Sequence, residues 1–359
     1  MPSIFDPIQL GAVAAPNRIL MAPLTRARAS RDHVPTEIMI DYYRQRAGAG
    51  LIISEATGIS AQGLGWPYAP GIWGADQIEG WNPITAAVHE VGGRIFCQLW
   101  HMGRVVHPSL PGRGQPVSSS ATTMPGLART YEGKQPYVQA RAMTHEDIRQ
   151  VISDYSDAAT NALKAGFDGV EIHAANGYLI DQFLRDNANF RTDDYGGSIE
   201  NRIRLLVEVT AAVVRTVGAD RTAVRLSPNE ERQGVNDSQP EPLFEAASVA
   251  LSDLGIAFLE VREPDVDGTN GRAERPPIAP LMRAAFKGVF VLNSDYDDKK
   301  GQAALEAGKA DAISFGRPFI SNPDLPGRFA KGLALTPDDK ATWYTGGESG
   351  YATYTVAEG

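Results

Sequence analysis

Short apolar runs rich in β-branched residues alternate with longer amphipathic segments along the chain. The runs are RILMA at 18–22, LIIS at 51–54, RIFCQL at 94–99, GVEI at 169–172, TAVRLS at 222–227, AFLEV at 257–261, GVFVLN at 288–293 and DAISF at 311–315. Their length and β-branched content predict buried strands. Between them, the segment 146–165 puts Ile148, Val151, Ile152, Tyr155, Ala159 and Ala162 on one helical face. Thr144 with Asp147 predicts its N-terminal cap, and Gly166 its end.

Strand and helix alternating eight times predict an α/β fold, the TIM (β/α)8 barrel, and the non-alternating strands suit a parallel sheet covered on both faces. A doubly wound sheet is the alternative, and the count of eight decides against it. Three segments lie outside the repeat. Residues 1–17 predict a short hairpin closing the bottom of the barrel. The stretch from about 104 to 143, rich in Pro, Gly and Ser, predicts an insertion after the third strand that caps the active-site face. The tail from about 337 to 359 is irregular, and its Trp343, Tyr344, Tyr351 and Tyr354 supply aromatic surface for packing. A length of 359 residues fits one barrel domain carrying such additions.

Composition narrows the function classes. With 43% hydrophobic and 21% charged residues the chain can bury a sizeable core, and its net charge of -9 argues against nucleic-acid or anionic-membrane partners. The single cysteine, Cys97, excludes an internal disulfide, a thiolate zinc site and a four-cysteine iron–sulfur cluster, and suits a reducing compartment. No basic-then-apolar leader opens the sequence, and no window approaches the roughly 20 apolar residues that span a bilayer. The expectation is a cytoplasmic protein. His101 and His107 lack a metal-binding helical spacing, so no metal is expected. No GxxxxGK loop or complete GxGxxG fingerprint follows a strand, so any nicotinamide nucleotide would share the substrate's pocket.

In such a barrel the chemistry sits at the C-terminal ends of the strands. There the chain places Pro23, Leu24 and Thr25 after strand one, Ala56 after strand two, and Gln98 and Trp100 at strand three. His173, Asn176 and Tyr178 follow strand four, Arg225 lies in strand five, Asn293 and Ser294 end strand seven, and Gly316 and Arg317 follow strand eight. Gly316 permits close backbone approach and Arg317 offers a forked cation, as a phosphate requires; the competing reading is an arginine paired with a surface carboxylate. Thr25, Gln98 and Arg225 outline a flat ligand with an amide-like edge, which FMN fits. Thr25 is otherwise a turn hydroxyl, and Arg225 an ion-pair partner of Glu171 or Glu260. His173, Asn176 and Tyr178 can all donate a hydrogen bond while uncharged, as a polarised substrate oxygen needs. Packed aromatic and buried histidine are the ordinary alternatives for Tyr178 and His173.

Six motifs, taken together and in order, are specific: APLTR at 22–26, SEAT at 54–57, QLWHMGR at 98–104, HAANGYLIDQFL at 173–184, the RTDDYGGSIENR run, and FGRPFISNPDL at 315–325. On these the chain resembles the Old Yellow Enzyme family of FMN-dependent ene-reductases over nearly its whole length. The resemblance implies non-covalent FMN reduced by NADPH or NADH, which then reduces electron-poor alkenes (enones, enals, maleimides, nitroalkenes) in a monomer or homodimer. It assigns His173 and Asn176 to the substrate's carbonyl or nitro oxygen, and Tyr178 to proton donation. Flavin contacts fall on Thr25, Gln98, Arg225 and Arg317, and substrate-pocket walls on Trp100 and Tyr351. Asn176 stands where some members have histidine, Trp66 where many have tyrosine, and Thr25 where a subclass has cysteine.

The chemistry agrees with these residues independently. Hydride arriving at the β-carbon of an enone drives negative charge onto its oxygen, where each neutral donor contributes roughly 2.7 to 4 kcal/mol in comparable sites. A tyrosine of ordinary pKa near 10 stays protonated at neutral pH and can serve the α-carbon. The residues Arg185, Asp186, Asn189, Arg191, Asp193, Tyr195, Gly196 and Gly197 read as a scaffolding loop before a helix capped by Ser198. A flavin- or phenol-binding barrel with incidental turnover is the alternative function. A lyase on the same barrel would call for a lysine at a strand end, and the chain has none there.

Overall fold

A computed structural model describes every residue except 111 and 113 of the insertion, 358 and 359 of the tail, and 230, 266, 269, 270, 272 and 274. Eight strands lie at the eight predicted places: β1 Ile19–Met21, β2 Ile52–Ile53, β3 Ile95–Trp100, β4 Gly169–His173, β5 Thr222–Leu226, β6 Phe258–Arg262, β7 Val289–Asn293 and β8 Ala312–Phe315. Every neighbour is parallel, and the pairings of β8 with β1 and of β3 with β4 close the sheet into a TIM barrel. Around it run α1 Ile38–Gln45, α2 Ala75–Glu90, α3 His145–Lys164, α4 Leu179–Leu184, α5 Ile199–Val217, α6 Pro240–Asp253, α7 Ala279–Ala285, α8 Asp298–Glu306, α9 Arg317–Ser321 and α10 Leu325–Lys331. Thr144 caps α3 with a reciprocal bond to Asp147, as predicted. None of the helices among the described residues is long and apolar enough to cross a membrane.

Two separate cores explain why the strands look uniformly buried. Outward-facing residues such as Cys97, Leu99, Val170, Ile172, Val224 and Leu259 pack with the helices. Inward-facing Leu20, Phe96, Ala223, Phe258, Val291 and Ala312 join Leu10, Val13 and Ala15 of the N-terminal hairpin, whose strands Ile8–Leu10 and Val13–Ala15 pair antiparallel. That hairpin plugs the bottom. Gly169 is required at this level because a Cβ there would lie 2.4 Å from the Phe96 ring.

One turn higher, the inward positions change character. Gln98, Glu171, Arg225, Glu260, Asn293 and Ser314 point into the barrel and bond across strands: Gln98 Nε2 donates to Glu171 Oε1 at 2.8 Å, and Arg225 Nη2 to Asn293 Oδ1 at 2.8 Å. Glu171 and Glu260 are fully buried. A period of two inside a closed barrel thus stacks an apolar layer beneath a polar one.

Candidate active site

Above that polar layer opens a cleft of about 710 Å³ at the C-terminal ends of the strands. Pro23, Leu24, Thr25, Trp66, Trp100, Asn176, Tyr178, Arg225, Asn293, Ser294, Gly316 and Arg317, all singled out from the sequence, line it. Gln98, His173 and Ala56 are buried and do not line it: Gln98 belongs to the polar layer, His173 packs against the lining rings of Trp100 and Tyr178, and Ala56 joins Trp100 and Leu64 in a small apolar cluster.

The donor cluster is set by local backbone chemistry. Asn176 and Gly177 adopt left-handed conformations, φ 59° and 77°, turning the chain sharply out of β4. Asparagine tolerates that region and glycine fits it freely; a Cβ on Gly177 would sit 2.6 Å from the Arg232 carbonyl oxygen. The Asn176 amide donates to Ser227 Oγ at 2.8 Å, fixing the turn against the end of β5. Tyr178 then opens α4. Its ring stands edge-on to Trp100, 4.9 Å at 84°, and to His173, 4.9 Å at 81°.

The Ala175 amide donates to His173 Nδ1 at 3.4 Å. That leaves the ring proton on Nε2, free to donate. Burial, followed by the nearby Arg225, Arg232 and Arg262 cations, holds the His173 pKa well below its usual range, so the imidazole is neutral. Burial raises the Tyr178 phenol, which meets the side chain of Gln233, and keeps it protonated.

The opposite end of the cleft is cationic. Arg317 pairs with Asp295, and Arg225 Nε lies 3.4 Å from Glu260 Oε2. Both therefore have the carboxylate partners of the competing readings, yet both also face the cleft. Between them stands Arg262, the last residue of β6, one position beyond the apolar run AFLEV that marks this strand in the sequence. Burial and then the charge of Arg225 push its pKa down to about 9. Crowding like charges at one end of a concave site suits an anion with two negative charges, which a terminal phosphate supplies. The donor set thus fits FMN: cations and Gly316 for the phosphate, Gln98, Thr25 and Arg225 for the ring edge.

Tyr351 does not meet its expectation. It is buried away from the cleft, stacked on Tyr42 at 4.1 Å with planes 2° apart and covered by Arg26 and Arg28. Those arginines seize the tail: Arg26 Nη2 donates to the Gly350 carbonyl at 2.7 Å and Arg28 Nη1 to that of Trp343 at 2.8 Å. The anchored tail instead presents Trp343 and Tyr344 to the cleft, with Tyr344 5.4 Å from Trp66. The insertion caps the face as predicted, contributing Met124, Leu127, Arg129 and Tyr137.

Residues 3–336 match the NADH:flavin oxidoreductase / NADH oxidase family. The chain belongs to this family, that of the old yellow enzymes. An old yellow enzyme homologue from Zymomonas mobilis is 61% identical, with TM-score 0.98 and coverage of 99% of this chain and 100% of that one. Morphinone reductase, solved in complex with tetrahydroNAD, is 44% identical, with TM-score 0.94 over 100% of this chain and 98% of that one. Chanoclavine-I aldehyde reductase of Penicillium roqueforti is 44% identical over 99% of this chain and 97% of its own. As an old yellow enzyme the chain uses FMN, takes electrons from a nicotinamide nucleotide and reduces activated carbon–carbon double bonds.

Proposed function

We propose that His173 and Asn176 receive the carbonyl or nitro oxygen of an enone, enal, maleimide or nitroalkene, and that Tyr178 delivers the proton to the α-carbon. One observation carries this reading: a neutral imidazole with its proton on Nε2 and a protonated phenol share one edge-on aromatic cluster at the cleft wall. Bound FMN, reduced by NADPH or NADH, supplies a hydride to the β-carbon. Gln98, Thr25 and Arg225 hold its ring edge, with Pro23, Leu24 and Ala56 as the apolar and backbone surround. Asn293, Ser294, Gly316 and Arg317, joined by Arg262, hold its phosphate end.

The protein's own work is then electrostatic. Neutral donors at His173 and Asn176 stabilise the oxygen as it gains charge without binding a pre-existing anion, so the gain falls on the transition state. Tyr178 is fixed in rotation by its two ring neighbours, so its hydroxyl needs little reorganisation. Trp66, Trp100 and Tyr344 wall the substrate region and exclude water. The enzyme works as a monomer or homodimer, and buried, reduced Cys97 suits the cytoplasm.

The test is anaerobic. The purified flavoprotein should be bleached by NADPH or NADH and recoloured by 2-cyclohexenone. Lasting charge-transfer colour with phenols but negligible enone turnover would instead mark a phenol-binding barrel.

A further inference from the structure

Two carboxyl groups lie in the polar layer beneath the cleft, and the chemistry above leaves them without a role. Glu171 of β4 and Glu260 of β6 flank Arg225 of β5 from inside the barrel, both fully buried. Glu171 Oε1 accepts from Gln98 Nε2 at 2.8 Å, and Glu260 Oε1 accepts from Ser314 Oγ. Glu260 Oε2 lies 3.4 Å from Arg225 Nε. Glu171 Oε2 and Glu260 Oε2 accept no hydrogen bond from the described residues, and the two carboxyl groups lie close enough to interact with each other.

Two ionised carboxylates in contact in a dry interior repel strongly, and only one adjacent guanidinium offsets them. A carboxyl–carboxylate pair satisfies both groups with one proton. Burial, with Glu260 next, holds Glu171 well above the ordinary carboxyl range, which agrees with that count.

We propose that Glu171 and Glu260 share a single proton and act as the positioning pair for the flavin's ring edge. Glu171 takes one amide hydrogen of Gln98, so the Gln98 carboxamide is fixed in orientation toward the cleft. The one negative charge of the pair sits beside Arg225 and sets how much positive field that guanidinium projects upward. The proposal rests on Gln98 and Arg225 as flavin contacts.

The test uses the full chain loaded with FMN, reading the flavin midpoint potential and the FMN dissociation constant. With one shared proton, E171Q and E260Q each leave one carboxylate, so neither single variant moves the potential. The double variant removes that charge and shifts the potential positive, because the uncompensated Arg225 favours the reduced, anionic ring. A positive shift in each single variant means both groups were ionised; no shift even in the double means both were neutral. Either result overturns the shared proton. Infrared difference spectra decide the matter if the double variant does not fold: buried Glu55 and Glu263, held up at about 7, contribute equally to parent and variants, so parent minus E171Q and parent minus E260Q should each show the loss of one and the same protonated carboxyl band. Loss of a band in only one difference spectrum, in neither, or of two distinct bands would overturn it.

Positioning has its own reading. E171L should weaken FMN binding about tenfold, one hydrogen bond's worth, while E171Q, which can still accept from Gln98, retains it. Equal FMN affinity in E171L and the parent, with Gln98→Ala weakened, overturns the positioning role alone. If Gln98→Ala also binds as the parent does, the flavin-contact reading of Gln98 falls instead.

Discussion

Tyr178 stands edge-on to His173, ring centroids 4.9 Å apart and planes at 81°. The contact joins a phenol to a neutral imidazole whose Nδ1 is already occupied by a backbone amide. One group can therefore donate protons to carbon while the other holds the oxygen, without competing for the same bond.

Removing the phenol separates the half-reactions. Tyr178→Phe should slow flavin reoxidation by 2-cyclohexenone by roughly 100- to 10,000-fold, the usual span for a general acid. Bleaching by the nucleotide should change little. Stopped-flow measurement of both half-reactions is the check, and equal slowing of the two removes Tyr178 from proton transfer.

The oxygen-binding pair should show itself in equilibrium binding as well. Replacing both His173 and Asn176 with alanine should weaken the charge-transfer complex with a para-substituted phenol by at least about tenfold, one to two hydrogen bonds' worth. Unchanged phenol affinity in a spectroscopic titration counts against the assignment.

At the phosphate end, Arg317→Gln should discriminate between flavins. Arg317 faces the cleft beside Arg262, so its loss should weaken FMN binding more than riboflavin binding, which lacks the phosphate. Matched losses for the two ligands would put the phosphate elsewhere.

The buried histidines should lose their contribution to stability in acid. Burial lowers the His101 pKa from 6.5 to about 3, and His173 is also held low. The folded pKa lies below the unfolded one, so the unfolded chain binds the proton first as pH falls. Each histidine's contribution is then complete above about pH 6.5 and declines below it, by up to about 1.4 kcal/mol per pH unit. Buried Glu55 and Glu263, held up at about 7, act in the opposite sense over the same range, so denaturant melts between pH 4 and 7 should show His101→Gln gaining stability on the parent as pH falls.

The two tail tyrosines should behave oppositely. Tyr351→Ala should cost about 3–5 kcal/mol, as for other large buried rings, because it empties the stack on Tyr42. Tyr351→Phe should cost nothing, since the buried hydroxyl has no hydrogen-bond partner among the described residues. Tyr344→Ala should leave thermal melting unchanged and raise the KM for enones. A destabilised Tyr344→Ala with unaltered KM would reverse these roles.

Much of this was legible in the chain alone. Eight strands appear where β-branched runs predicted them, because strand burial leaves a local signature that needs no knowledge of the partner strand. The turn at Asn176 and Gly177 is equally local, written in residues that tolerate a left-handed backbone. Strand ends could also be read together as one rim, since barrel closure follows from the count of eight. What the sequence could not decide was which way buried polar residues face and which distant segment covers the cleft. Glu171 and Glu260 look like interruptions in apolar runs; only closure turns both inward against Arg225, across strands far apart in sequence. Tyr344 and Tyr351 are alike as residues, and the difference between them arises where Arg26 and Arg28, more than 300 positions earlier, grip the tail carbonyls. Those contacts are products of tertiary packing, and no local periodicity encodes them.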